Sequence, residues 1–159
     1  MPIKTPPPFS DVEFDYRLPE GPFVYERHVR WGDTDPAQIA YTATLPAMCL
    51  EAIESFVKAC IGVNWYEGNL DHGFGMPFAH MDCDFFSPVD GREPLLLSVY
   101  VERVGRTSLT TRVVGHQDGR HCLAGTYVNV FARSDVMQPV EIPSNVRANL
   151  TRYQEAQER

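Results

Sequence analysis

The stretch Trp31-Gly32-Asp33-Thr34-Asp35-Pro36-Ala37-Gln38-Ile39 sets two carboxylates in a short loop bounded by Gly and Pro, just ahead of a long apolar run. If that run is helical, the loop holds a carboxylate beside the positive end of a helix. Backbone N–H groups there have no intrahelical partner. Such donors polarise a carbonyl and stabilise the oxyanion formed when it is attacked. A carboxylate nucleophile or base next to them is a layout for acyl transfer. The loop alone also has a plainer reading, because Asp in D-x-D-P loops commonly serves as a turn or capping residue. The elements that follow tip the balance towards chemistry.

From Thr44 to Ile61 the apolar residues Leu45, Met48, Cys49, Ala52, Ile53, Phe56 and Cys60 recur at helical spacing. Leu50, Val57 and Ile61 widen the stripe, leaving Glu51, Glu54, Ser55 and Lys58 as a narrow polar strip. Glu54 and Lys58 are spaced as an i,i+4 pair. Thr42 or Thr44 can cap the start, Pro46 is tolerated in the first turn, and Gly62 suits the stop. A helix this apolar belongs in a core. Around it the chain reads as strands over 23–31, 78–86, 95–104, 108–116 and 121–133, with Tyr25, Val29 and Trp31 on one face of the first. Asp118-Gly119 joins the last two as a two-residue hairpin. Ser144 can cap a short terminal helix that docks through Val146, Leu150 and Tyr153. The expected fold class is α+β, an antiparallel sheet wrapped around one long helix.

Other groups with chemical potential carry plainer alternatives. His80, Asp82 and Asp84 alternate onto one strand face, which raises a metal site. A structural metal wants four ligands from more than one element, so a polar strand face lining a cleft is the stronger reading, and no metal is expected. His80 stays a site candidate because it can approach an acyl pocket from the sheet. Residues 62–77, with Trp65, Tyr66, His72, Gly73 and Gly75, read as a connector that shapes a pocket or merely spans helix and sheet. Cys49, Cys60, Cys83 and Cys122 follow no metal or redox spacing and read as free thiols in a reducing compartment.

Three segments in order carry a family resemblance: V-R-W-G-D-T-D-P-A-Q-I-A-Y (29–41), H-M-D-C-D-F-F-S-P-V (80–89) and P-V-E-I-P (139–143). They resemble the hotdog-fold thioesterases of the 4-hydroxybenzoyl-CoA thioesterase type, over roughly residues 22 to 150. The resemblance implies that Asp35 attacks the thioester carbonyl or activates water, with the backbone N–H of Thr42 as oxyanion donor. It places Tyr41 beside the substrate, and Arg103, Arg106 and Ser108 with the coenzyme A phosphates. Another hotdog branch uses a helix Glu, which makes Glu51 and Glu54 a second option; their place on the polar strip favours a solvated pair. The chain departs from the pattern at Gln38, where many members have Gly, and at Thr44 and Leu45, where many carry Asn-x-x-Tyr-like residues. It departs again at Leu50, aligned with a carboxylate that receives a phenolic hydroxyl in some members. An apolar Leu there puts a 4-hydroxylated acyl group in doubt.

A length of 159 residues suits one domain over 22–159 behind an extended Pro-rich arm over 1–21. A net charge of −7 argues against a nucleic-acid surface. No run approaches the ~18 apolar residues of a membrane span, and the N-terminus has no apolar signal core. The combined expectation is a cytoplasmic acyl-CoA thioesterase without metal or redox cofactor, coenzyme A entering as part of the substrate. A homodimer is expected, within a tetramer, because a sheet wrapped on one helix leaves a face or edge uncovered. The alternatives are a non-catalytic acyl-CoA-binding module and a hotdog dehydratase or hydratase, which would need a His base near the Asp35 loop.

Overall fold

One helix organises the chain. Helix α1 (Thr44–Ile61) buries Leu45, Met48, Cys49, Ala52, Ile53, Phe56, Val57, Cys60 and Ile61, the stripe read from the periodicity. Each large apolar side chain withdrawn from water in this way contributes roughly 1.5–3 kcal/mol. The helix ends where Gly62 takes a left-handed φ of 89° and its N–H bonds Lys58 O. Asn149 reaches in from the C-terminal helix and donates to Cys60 O at 3.0 Å, satisfying a carbonyl that the helix end leaves open.

The computed structural model describes residues 21–158, so nearly all of the Pro-rich arm expected over 1–21 lies outside the described residues. A curved antiparallel sheet holds α1. Its strands are β1 (Phe23–Arg27), β3 (Phe78–Met81), β4 (Asp84–Phe85), β5 (Leu95–Val104), β6 (Ser108–Gln117) and β7 (Arg120–Val130). Their order is β1-β5-β6-β7-β3, with β4 also on β7. Alternation sends Leu95, Leu97, Val99 and Val101 of β5 to the buried face, joined by Leu109 and Val113 of β6. Asp118 and Gly119 both have positive φ, as the tight β6–β7 turn requires. A small pair, β2 (Phe74–Gly75) with β8 (Ala132–Arg133), closes one end. Helix α3 (Ser144–Gln157) docks through Val146, Leu150 and Tyr153, whose hydroxyl donates to Val99 O at 2.7 Å and accepts from Phe23 N–H. Among the described residues no helix is long and apolar enough to cross a membrane. The whole is the expected hotdog arrangement, α+β with an antiparallel sheet around one helix.

Several local expectations are corrected. β1 stops at Arg27, and Trp31 opens a 3-10 turn with 90% of its surface exposed instead of facing inward with Tyr25. The strand expected over 78–86 breaks at Asp82-Cys83 into β3 and β4. Neither Thr42 nor Thr44 caps α1: Ala43 occupies the cap without a side-chain bond, and the Thr44 hydroxyl donates to Tyr41 O at 2.6 Å. Pro143, not Ser144, precedes α3. The connector over 62–77 contains a helix, α2 (Trp65–Asp71), closed at its start by a reciprocal Asn64–Glu67 capping box.

The break between β3 and β4 depends on Gly125. A Cβ there would lie 2.2 Å from Asp82 O. Its absence lets Asp82 N–H bond Thr126 O at 3.0 Å, while Asp82 Oδ1 accepts Thr126 N–H at 2.9 Å. We expect Gly125→Ala to lower the unfolding free energy by about 1–3 kcal/mol, the usual toll of overpacking. A urea titration with an unshifted midpoint would contradict this account.

Candidate active site

The Asp33–Asp35 loop is held by Arg27. This residue leaves β1 on the same face as Tyr25, and its guanidinium meets two carboxylates. Nη1 lies 2.9 Å from Asp33 Oδ2 and Nη2 3.3 Å from Asp33 Oδ1, while Nε donates to Glu51 Oε2 at 2.8 Å. The end of β1, the loop and the middle of α1 are thus tied through one planar cation, a geometry suited to Arg. Arg30 N–H adds a 2.8 Å bond to Asp33 Oδ2. The Arg27 hydrogen bonds hold the Asp33 carboxyl below its ordinary range, and the Arg30 amide adds to the effect. Glu51 is therefore a structural partner of Arg27 rather than one half of a solvated pair. Among the described residues no ion pair joins Glu54 to Lys58.

Asp35 is held differently. Its N–H bonds Ile39 O at 3.1 Å, its carbonyl accepts Gln38 N–H at 2.8 Å, and its Oδ1 accepts Ala37 N–H at 2.8 Å. The other carboxylate oxygen has no hydrogen bond among the described residues and stays available to a reacting group. Closing this turn puts Gln38 at φ 64°, a conformation that costs a non-glycine residue roughly 1–2 kcal/mol. Gln38 thus adopts the backbone for which Gly would be the easier residue. The next rung, Tyr41 N–H to Asp33 O at 2.8 Å, delivers the chain to α1. Thr44 N–H and Leu45 N–H turn back onto Tyr41 O and Thr42 O. The N–H groups of Thr42 and Ala43 find no acceptor among the described residues.

Two clefts meet at Thr42 and Phe85. One, of about 290 Å³, is lined by Ile39, Leu45, Phe86 and Val89; the other, of about 390 Å³, by Tyr41, Ala43, Pro46, Met81 and Cys83. Asp35 lines neither. Cys49 of α1 hydrogen-bonds Cys83, which draws the Cys83 thiol below its ordinary range and pushes Cys49 up. His80 lies on the adjoining edge with Nε2 3.0 Å from Asp82 Oδ2. Among the described residues no three His, Cys, Asp or Glu groups gather as a metal site, and all four cysteines are free thiols.

Within one chain the remaining candidates sit elsewhere. Arg27 pairs opposite Leu95, so the Asp35 loop lies at the start of β5, whereas Arg103, Arg106 and Ser108 surround its far end. At ~3.3 Å per residue, β5 separates them by roughly 30 Å. Arg106 is also engaged with Glu141 at 3.2 Å. Trp65 and Phe78 meet edge to face and line a separate cleft with Pro77 and Met137, beyond the C-terminal end of α1. The connector over 62–77 lines neither Thr42 cleft, whose aromatic wall is supplied by Phe85 and Phe86. Sequence reasoning passed over Arg27 and this Phe pair. The signal for Arg27 was a cation at the inward-facing spacing of Tyr25 and Val29.

Comparison with known proteins agrees with this geometry. Residues 29–150 match the thioesterase-like superfamily. A thioesterase-superfamily structure from Jannaschia sp. CCS1 superposes with a TM-score of 0.80 at 37% identity, covering 87% of this chain and 97% of that one. A 1,4-dihydroxy-2-naphthoyl-CoA thioesterase from Synechocystis shares the fold, with TM-score 0.74 and 22% identity over 82% of this chain and 96% of its own. The 1,4-dihydroxy-2-naphthoyl-CoA hydrolase of Nostoc punctiforme is 31% identical over 83 residues, 52% of this chain. That match spans 55% of the Nostoc enzyme, about half the length of such curated relatives.

The Arg27–Asp33 contact generates a pH prediction. Because folding lowers the Asp33 pKa from 3.8, its stabilisation is fully present above that unfolded value and fades as pH falls towards the folded one. Asp33→Asn should cost about 1 kcal/mol at neutral pH, and its deficit against the parent should shrink below about pH 4. Denaturant titrations of both proteins at pH 7 and pH 3 test this; a deficit that is constant with pH contradicts it.

Proposed function

The chain belongs to the thioesterase-like superfamily, and from that premise we propose that it hydrolyses acyl-CoA thioesters to the free acid and coenzyme A. The observation that carries the reading is the pair of N–H groups at Thr42 and Ala43 without an acceptor among the described residues, at residues lining apolar clefts beside a loop whose Asp35 keeps one oxygen free among those residues. The thioester carbonyl lies on Thr42 N–H, where oxyanion charge is stabilised as it develops. Asp35 then acts in one of two ways. It attacks the carbonyl, expelling the coenzyme A thiolate and leaving an acyl anhydride that water opens; or it takes a proton from water as water attacks. Either route consumes one water and requires no resident cofactor.

Asp35 lines neither cleft of a single chain, which supports a site completed by a second copy. The edge formed by β3 and β4 offers the surface, with Met81, Phe85, Phe86 and Tyr41 exposed. A homodimer, assembled further into a tetramer, covers that edge. His80, fixed by Asp82, borders the same edge and faces substrate there. The free thiols favour a cytoplasmic setting. Phe85, Phe86, Leu45 and Val89 favour a bulky or aromatic acyl group, in keeping with the aromatic thioesters in the names of relatives. A dehydratase reading is disfavoured because no His lies in the Asp35 loop.

A panel of acyl-CoA thioesters followed by thiol release tests the activity. Aromatic and medium-length acyl groups should turn over faster than acetyl, and acetyl-CoA as the best substrate would sink the pocket assignment. Asp35→Asn should fold normally and lose roughly 10²–10⁴-fold in kcat with little change in acyl-CoA affinity. A folded variant with near-parental kcat would refute the mechanism, while binding without turnover in the parent would favour the non-catalytic module.

A further inference from the structure

A third cleft, of about 630 Å³, adjoins the Asp35 loop and shares Ile39 with the smaller of the two Thr42 clefts. Its walls carry Arg30, Trp31, Thr34, Gln38, Asp90 and Arg92. Neither arginine forms an ion pair among the described residues. Trp31 is 90% exposed, although its indole is the largest apolar surface in the loop. Both sides of the cleft are rigidly mounted. Arg30 N–H is held by Asp33 at 2.8 Å. The opposite loop is pinned by buried Gln117, which donates to Asp90 O at 2.8 Å and Glu93 O at 2.6 Å and accepts Asp90 N–H at 3.0 Å. Asp90 Oδ1 in turn accepts Arg92 N–H at 3.0 Å.

We propose that this cleft takes the adenosine diphosphate end of coenzyme A, with the purine on Trp31 and the phosphates on Arg30 and Arg92. The inference rests on the thioesterase reading and adds where the far end of the substrate goes. Two unpaired guanidiniums beside an exposed aromatic face are the complement of a phosphorylated purine: phosphate takes paired N–H donors, and a base stacks on an aromatic ring. Fixed supports reduce what must be ordered on binding.

The reach agrees. Ala40 N–H bonds Val89 O at 2.7 Å, Thr42 lies two residues beyond Ala40, and Arg92 lies three beyond Val89. At ~3.5 Å per residue, Thr42 and Arg92 are at most about 20 Å apart. Pantetheine places about a dozen chain bonds between sulfur and phosphate, roughly 15 Å at three bonds per residue length, and the extended Arg92 side chain reaches about 6 Å further. A thioester on Thr42 can therefore send its arm past Ile39 to this cleft. In the same chain Arg103 and Arg106 are out of reach.

The test has two readouts. Adenosine 3′,5′-bisphosphate is titrated calorimetrically into the parent, into an Arg30→Ala/Arg92→Ala double variant and into Trp31→Ala, with melting temperatures recorded. In parallel, kcat/KM for benzoyl-CoA is divided by that for benzoyl-pantetheine, which lacks the nucleotide. The double variant should bind the bisphosphate at least about tenfold more weakly, Trp31→Ala about tenfold, and the ratio should fall by similar factors. Unchanged affinity and ratio in folded variants overturn the subsite, as does a loss seen instead with Arg103→Ala/Arg106→Ala. A Trp31→Ala protein that changes sedimentation but not nucleotide affinity assigns Trp31 to an interface and overturns its stacking role. If the parent hydrolyses neither thioester, the activity reading fails, while the titration still decides the subsite.

Discussion

The three-way contact of Arg27 with Asp33 and Glu51 is the constraint on which the rest of the site depends. β1 and α1 are joined by a loop with few apolar anchors of its own, and packing alone would let that loop rock. Arg27 converts the position of the helix into the position of the loop: Glu51 fixes the guanidinium against α1, and the guanidinium fixes Asp33. Asp33 O then takes Tyr41 N–H, so the chain arrives at α1 at a set height. The free oxygen of Asp35 and the open N–H groups of Thr42 and Ala43 are referenced to one frame. A cation supporting two carboxylates in a half-buried place is favourable because both partners hydrogen-bond it; removing one would leave a poorly solvated charge.

The open N-terminal turn of α1 follows from the residues around it. Ala43 has no side-chain acceptor and Pro46 has no N–H, while Thr44 spends its hydroxyl on Tyr41 O. A conventional Ser or Asp cap would have stabilised the helix by about 1 kcal/mol and engaged an N–H of its first turn. The burial of nine α1 side chains makes that omission affordable.

Much of this was legible in residue order, for reasons that vary along the chain. The bounds of α1 coincide with those read from its spacing, because a nearly all-round apolar helix in a sheet has only one way to be buried. β5 was equally clear, its alternation unbroken from Leu95 to Val101. Trp31 misled because alternation runs on through it, yet the Asp33 carboxylate captures Arg30 N–H and turns the backbone. Helix α2 was hidden by Gly68, a poor helix former, although a Cβ there would meet Phe74 Cζ at 2.9 Å. Its Asn64–Glu67 box was the signal to heed. The placing of Asp35 and Thr42 just ahead of α1 could be read because the loop is local. The placing of Arg103 and Arg106 could not, since it depends on the length of β5 and on which end of the sheet the loop joins.

The order of the strands also has a consequence in time. β5, β6 and β7 are neighbours both along the chain and in the sheet, so their pairing closes only short loops and can form early. β1 must instead find β5 across the whole of α1, α2, β3 and β4, aligning Phe23 with Val99. Until it does, Arg27 has no fixed approach to Asp33 or Glu51. The meander is therefore a template that can exist before the site does, and contact order favours a late closure of the Asp35 loop.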